Sequence, residues 1–184
     1  MSKYEEPSHS SELSNLPAWD RNIWLSRAYL EAGQCLSDSM LEGDFTSQYS
    51  SSRVILHLVR QGIELFLKGA VQAAGGTAEN LGHNLDSLYV EYRRHHPDLA
   101  YHFEIPKTYQ VDLNLDLFPE SANQFHRTLD QRHRYATDKT GKTFATPEVF
   151  DPVATRDEID ELRRVLGIIE WVELRPSLQA KNAP

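Results

Sequence analysis

The stretch from Ser51 to Ala74, SSRVILHLVRQGIELFLKGAVQAA, constrains the fold more than any other part of the chain. It has no proline, and glycine only at Gly62 and Gly69, so little in it interrupts a helix. Apolar or small residues recur at Ile55, Leu58, Val59, Gly62, Phe66 and Ala70, the i, i+3, i+4 spacing of a core-facing helix. At about 100° per residue, Arg53, His57, Arg60, Gln61, Glu64, Lys68 and Gln72 fall within an arc of roughly 120°. Most of the remaining circumference is apolar. Such a helix is largely buried, needs other helices around it, and keeps one narrow ionisable stripe.

The flanking sequence supplies those helices. Residues 1–15 read as a disordered leader, low in hydrophobicity and rich in Ser and Glu. After Leu16-Pro17 a first helix is expected from Ala18 to Leu41, with Trp24, Ala28, Ala32, Cys35, Leu36 and Met40 on one side. Gly43 ends it, and the short link makes the first two helices antiparallel neighbours. Gly75-Gly76 stop the second helix. A third, NLDSLYVEYRRHH, carries Leu85, Leu88, Tyr89 and Tyr92 as its core stripe and stops at Pro97. Residues 97–118 lack periodicity and read as an irregular segment with a short strand or helical turn. Pro119 opens a fourth helix with Ala122, Phe125 and Leu129 inward, ending near Tyr135. The loop DKTGKTFATPEVFDP has room for a short hairpin. A capping-box sequence, Thr155 to Glu158, starts a last helix with Ile159, Leu162, Leu166, Ile169 and Val172 inward, limited by Pro176. The expected fold is an all-α bundle of about five helices in a single domain, 16–176, with a flexible tail at 177–184.

Charge and cysteine content narrow the function classes. With 27 acidic against 19 basic residues the formal net charge is −8, so broad binding of duplex phosphates is excluded and any nucleic-acid contact is local. Basic residues do cluster, in RRHH at 93–96 and HRTLDQRHR at 126–134; the first sits in a last helical turn, where it complements the helix dipole. Cys35 is the only cysteine, which excludes an internal disulfide and a thiolate zinc cluster and reads as a small buried side chain. No apolar run approaches the roughly 18 residues that span a bilayer, and no secretory signal is visible, so a cytoplasmic protein without membrane attachment is expected. No metal or cofactor is expected. His126 and His133, or His95, His96 and His102, come without a carboxylate or cysteine spacing that specifies a metal site, and no Gly-rich phosphate loop or nucleophile elbow occurs.

The run Gln61-Gly-Ile-Glu64-Leu-Phe-Leu-Lys68, then Gly75-Gly76, then Gly82-His83-Asn84-Leu85 with Leu88-Tyr89, resembles the HEPN family of nucleotide-binding helical domains. Members commonly show a Q-x-x-E-x-x-x-K helix followed by an H-x-L helix start. The stretch His133-Arg-Tyr-Ala-Thr-Asp138 is similar to the segment that precedes the last helix in some members. The likeness covers about residues 45–175. Independently of it, Glu64 and Lys68 stand at i, i+4 in the favourable order, and His83 can join them, either as a structural network or facing a ligand.

The resemblance implies a nucleotide- or RNA-related role in RNA processing, defence or a toxin–antitoxin pair. Many HEPN proteins carry an R-x(4–6)-H motif that cuts RNA without metal across a homodimer. Here Arg127-TLDQR-His133 matches it, a histidine suiting proton transfer and an arginine suiting a phosphorane. About 1.7 such matches arise by chance in this composition, so the match alone decides nothing. Thr128 also follows Arg127 where catalytic members often have Asn or Asp. The leading expectation is therefore a non-catalytic binding or interaction module, using Arg132, Arg134 and Tyr135 with Lys68, His83 and Glu64. A metal-independent ribonuclease built on Arg127 and His133 is the alternative. A structural dimerisation bundle is the third reading, with a partner such as a nucleotidyltransferase-like antitoxin.

Overall fold

The computed structural model describes residues 15–78, 81–110, 129, 131–135, 137, 140–142 and 150–181. The chain is an all-α bundle of about five helices. These are α1 (Ala18–Leu41), α2 (Gln48–Ala73), α3 (Leu85–His95), α4 (Pro152–Ile168) and α5 (Arg175–Lys181), with a π-helical segment, Ile169–Leu174, joining the last two. Of the expected fourth helix, Leu129 and residues 131–134 are described and helical. Its start at Pro119, with Ala122, Phe125 and Arg127, lies outside the described residues, as do leader residues 1–14 and most of the loop 138–152 in which a short hairpin is expected (138, 139 and 143–149).

α1 and α2 form the antiparallel pair that the short link requires. Asn22 Nδ2 donates to Gln72 Oε1 at 2.9 Å, and Ser26 Oγ donates to the Gly62 carbonyl at 2.6 Å. The glycines of α2 are the points of closest approach. A Cβ on Gly62 would stand 2.7 Å from Leu30 Cγ, and one on Gly69 would stand 2.8 Å from the Trp19 carbonyl oxygen. Gly33 meets Val59 in the same way from α1. This close packing determines which face of α1 is inside. Ile23, Trp24, Leu30, Gly33, Ser37 and Met40 are buried, whereas Ala28, Ala32 and Cys35 are exposed. Of the expected stripe, Trp24 and Met40 do face inward and Leu36 packs against the core, but its middle, Ala28, Ala32 and Cys35, is turned outward, because the small Gly33 and Ser37 are what the tight contact needs.

α2 is the central element: Ile55, Leu56, Val59, Ile63, Phe66, Leu67, Ala70 and Val71 are all buried. Ser47 caps it, its Oγ accepting from Ser50 N–H, and Asn84 caps α3 in the same manner through Ser87 N–H. The segment after α3 contains two 3-10 turns, Leu99–Tyr101 and Lys107–Tyr109. Three phenols hold it to the bundle. Tyr89 donates to the Phe103 carbonyl, Tyr92 to the Tyr101 carbonyl and Tyr109 to the Leu56 carbonyl, at 2.6, 2.6 and 3.0 Å. Phe103 adds edge-on contacts with Phe66, Tyr89 and Tyr92, with ring centroids 5.4 to 5.8 Å apart.

The last helical region differs from expectation at both ends. Its N-cap is Asp151, whose carboxylate accepts from Val153 and Ala154 N–H at 2.9 and 3.0 Å, with Pro152 in the first turn. Asp-Pro outcompetes the capping box at Thr155, which lies inside the helix. Pro176 does not end the structure. It follows the π segment directly as the second residue of α5, where the wider π turn, with Arg175 N–H on the Glu170 carbonyl, carries the helical path past its missing N–H. The tail expected to be flexible from 177 is accordingly helical through Lys181. Val172, expected inward, is exposed, because the wider π turn shifts the face presented to the core. On the same segment, buried Glu170 accepts from Arg27 Nη2 at 2.5 Å and Arg175 Nε at 2.9 Å, while Arg175 Nη2 reaches Asp20 at 2.7 Å. The guanidinium of Arg27 lies 4.7 Å from the Trp24 ring and that of Arg175 lies 4.6 Å from Trp171. This ionic and aromatic cluster ties the last helices to α1.

Candidate functional site

The ionisable stripe of α2 is organised around Glu64, which is 1% exposed. Arg60, one turn earlier and wholly buried, places Nη1 3.3 Å from Glu64 Oε2 and donates through Nη2 to the His83 carbonyl. Lys68 Nζ lies 2.7 Å from Glu64 Oε1, and His83 Nδ1 lies 2.9 Å from the same oxygen. The expected group of Glu64, Lys68 and His83 is therefore assembled, with Arg60 as a fourth member. One buried carboxylate accepting from two cations and an imidazole joins α2 to the turn that opens α3. Gly82, at φ 58°, provides the left-handed turn that presents His83. With Nδ1 on the carboxylate, His83 Nε2 is the nitrogen left to face solvent, and the side chain is well exposed.

The second basic segment lies against the start of α2. Arg53 and Glu64 are separated by about 16 Å of helix axis, so the two groups are distinct centres. His133 is 4% exposed and meets the ring of Tyr109 edge-on at 6.3 Å. Arg134 and Tyr135 point outward, the guanidinium 5.5 Å from the Tyr135 ring. Arg132 is half-buried beside them. Arg127 lies outside the described residues, so the R-x5-H pair has no described geometry as a pair. What is described is that its histidine is packed inside while the next two residues face solvent.

Two residues that sequence reasoning did not select complete this surface. Arg53 donates through Nη2 to the Tyr135 carbonyl and through Nη1 to the Tyr49 hydroxyl at 2.8 Å. Its guanidinium also lies 5.5 Å from the Tyr49 ring. Arg53 was visible in the stripe, but Tyr49 precedes the periodic run and carries no signal until its bond from Arg53, which also holds the Tyr135 carbonyl, is known. Among the described residues, no group of three or more His, Cys, Asp or Glu side chains is placed to hold a metal ion. No described helix is long and apolar enough to cross a membrane. Comparisons with protein-family models, with curated proteins and with solved structures find no match.

Proposed function

We propose that this chain is a HEPN-like helical module that binds RNA or a nucleotide without cutting it. The observation that carries the reading is the outward placement of Arg134 and Tyr135 beside a buried His133. A general base must reach the hydroxyl whose proton it takes, within about 3 Å or through one water. A histidine packed on Tyr109 is badly placed for that, whereas exposed Arg and Tyr side chains grip phosphate and stack on bases. The Glu64 cluster acts as the internal brace that holds α2 and α3 in register, with His83 at its solvent edge.

A cytoplasmic setting, expected from the sequence, belongs to the same proposal, as do self-association and a protein partner such as a nucleotidyltransferase-like antitoxin, which rest on the family likeness alone. The test is a short labelled RNA incubated with the purified chain and with the Arg134→Ala, Arg127→Ala and His133→Ala variants. Binding with intact RNA, weakened by Arg134→Ala, supports the module. Cleavage that is lost in both the Arg127 and His133 variants would establish the ribonuclease instead.

A further inference from the structure

We infer that Tyr49, Arg53, Arg134 and Tyr135 form a stacking platform for unpaired bases, so that the preferred ligand is single-stranded nucleic acid rather than a duplex. This rests on the binding function proposed above and names its ligand class. Tyr49 and Tyr135 are 66% and 54% exposed, so most of each side chain is open to a ligand. One guanidinium, that of Arg53, reaches both residues, bonding the hydroxyl of the first and the backbone carbonyl of the second. The two residues are therefore held at neighbouring positions rather than scattered over the surface. Each ring has a guanidinium 5.5 Å from its centroid.

Along the chain, the stretches that carry the two rings have the sign a phosphate backbone requires. The stretches 48–57 and 131–135 contain Arg53, Arg132 and Arg134 and no carboxylate; Asp44, Glu64, Asp130 and Asp138 are the nearest acids along the chain. On a chain of net charge −8 this is a local cationic spot with aromatic faces, which separates it from a general polyanion surface. Bases in a duplex are stacked on one another and hide their faces, so only an unpaired strand can use exposed rings. Stacking reads a π-face that all bases share, hence the platform tolerates sequence. Two rings accommodate about two bases, with the arginines reaching the flanking phosphates.

The test uses fluorescence anisotropy at low salt with a labelled eight-nucleotide RNA, alone and annealed to its complement. Variants are Tyr49→Ala, Tyr135→Ala, Tyr49→Phe, Tyr135→Phe and Arg134→Ala. The single strand is expected to bind at least about tenfold more tightly than the duplex. Each alanine variant should weaken it by about 5- to 150-fold, while Tyr135→Phe preserves binding and Tyr49→Phe, which loses the bond from Arg53 but keeps the ring, weakens it less than Tyr49→Ala. Both rings are largely exposed, so unchanged thermal melting is expected to confirm an intact fold. If the alanine variants bind like the parent while Arg134→Ala is weakened, phosphates alone hold the strand; the platform is then wrong although the binding function stands. If the parent binds neither form, the function itself fails.

Discussion

Replacing Glu64 with glutamine removes one charge from the centre of the bundle while keeping the volume that fills it. Glu64 is 1% exposed and its partner Arg60 is wholly buried, with Arg60 Nη1 3.3 Å from the carboxylate. Lys68, on the other oxygen at 2.7 Å, retains some access to water and can turn outward. Arg60 cannot, because α2 and the His83 turn enclose it. Losing one partner of a buried ion pair costs about 3–5 kcal/mol, most of it the desolvation of the charge left behind. In a chain of this size each kcal/mol moves the midpoint by about 2–4 °C, so Glu64→Gln should lower it by about 6–20 °C. The double variant Glu64→Gln with Arg60→Met removes both charges, and the introduced amide oxygen still accepts from Lys68 and His83. It should recover most of the loss, a strong coupling between contacting residues. Urea denaturation of the parent, both single variants and the double variant measures this. A Glu64→Gln cost below about 0.5 kcal/mol, or a double variant as unstable as the sum of the singles, would refute the brace.

Other consequences follow from the packing and the charges. Glu170→Gln withdraws the shared acceptor of Arg27 and Arg175; because Arg175 keeps Asp20, the cost should sit near the lower end of the buried-pair range, about 3 kcal/mol by urea denaturation. Gly62→Ala should destabilise by about 1–3 kcal/mol, since its Cβ would meet Leu30 at 2.7 Å, and Leu30→Ala in the same background should relieve part of the clash. Glu91 is held at a pKa of about 2, first by the Arg94 hydrogen bond and then by the Arg94 charge and His95. A depressed carboxylate stabilises the fold above its ordinary pKa and loses that contribution as pH falls towards 2. Carboxyl NMR should therefore show Glu91 titrating late, and Arg94→Gln should return it towards the usual range.

The elements that sequence periodicity found are those whose pattern answers to burial alone. α1 spans the residues that Pro17 and Gly43 bracket, α2 starts three residues before the periodic stretch because Ser47 caps it, and α3 follows Asn84. The differences arise where a tertiary contact or a local competitor decides. Cys35 is exposed because α1 turns Gly33 and Ser37 towards α2, a preference for small residues that a hydrophobicity pattern does not register. Asp151 with Pro152 displaces Thr155 as the cap, and the π segment lets the helix absorb Pro176. Within the candidate site, the Glu64–Lys68 pair was legible from i, i+4 spacing, and His83 from its place at a helix start. The role of Arg60 depends on how deeply α2 is buried. Tyr49 joins Tyr135 only through Arg53, across a separation in sequence that no local pattern spans.

Photocrosslinking tests the binding surface most directly. A single-stranded RNA carrying 4-thiouridine, irradiated with the purified chain and mapped by mass spectrometry, reports the residues it touches. Crosslinks in the peptides holding Tyr49 to Arg53 and Arg132 to Tyr135, on RNA recovered intact, are the predicted result. Crosslinks confined to other surfaces, or RNA recovered cleaved, would contradict a non-cutting module that holds its ligand at the start of α2.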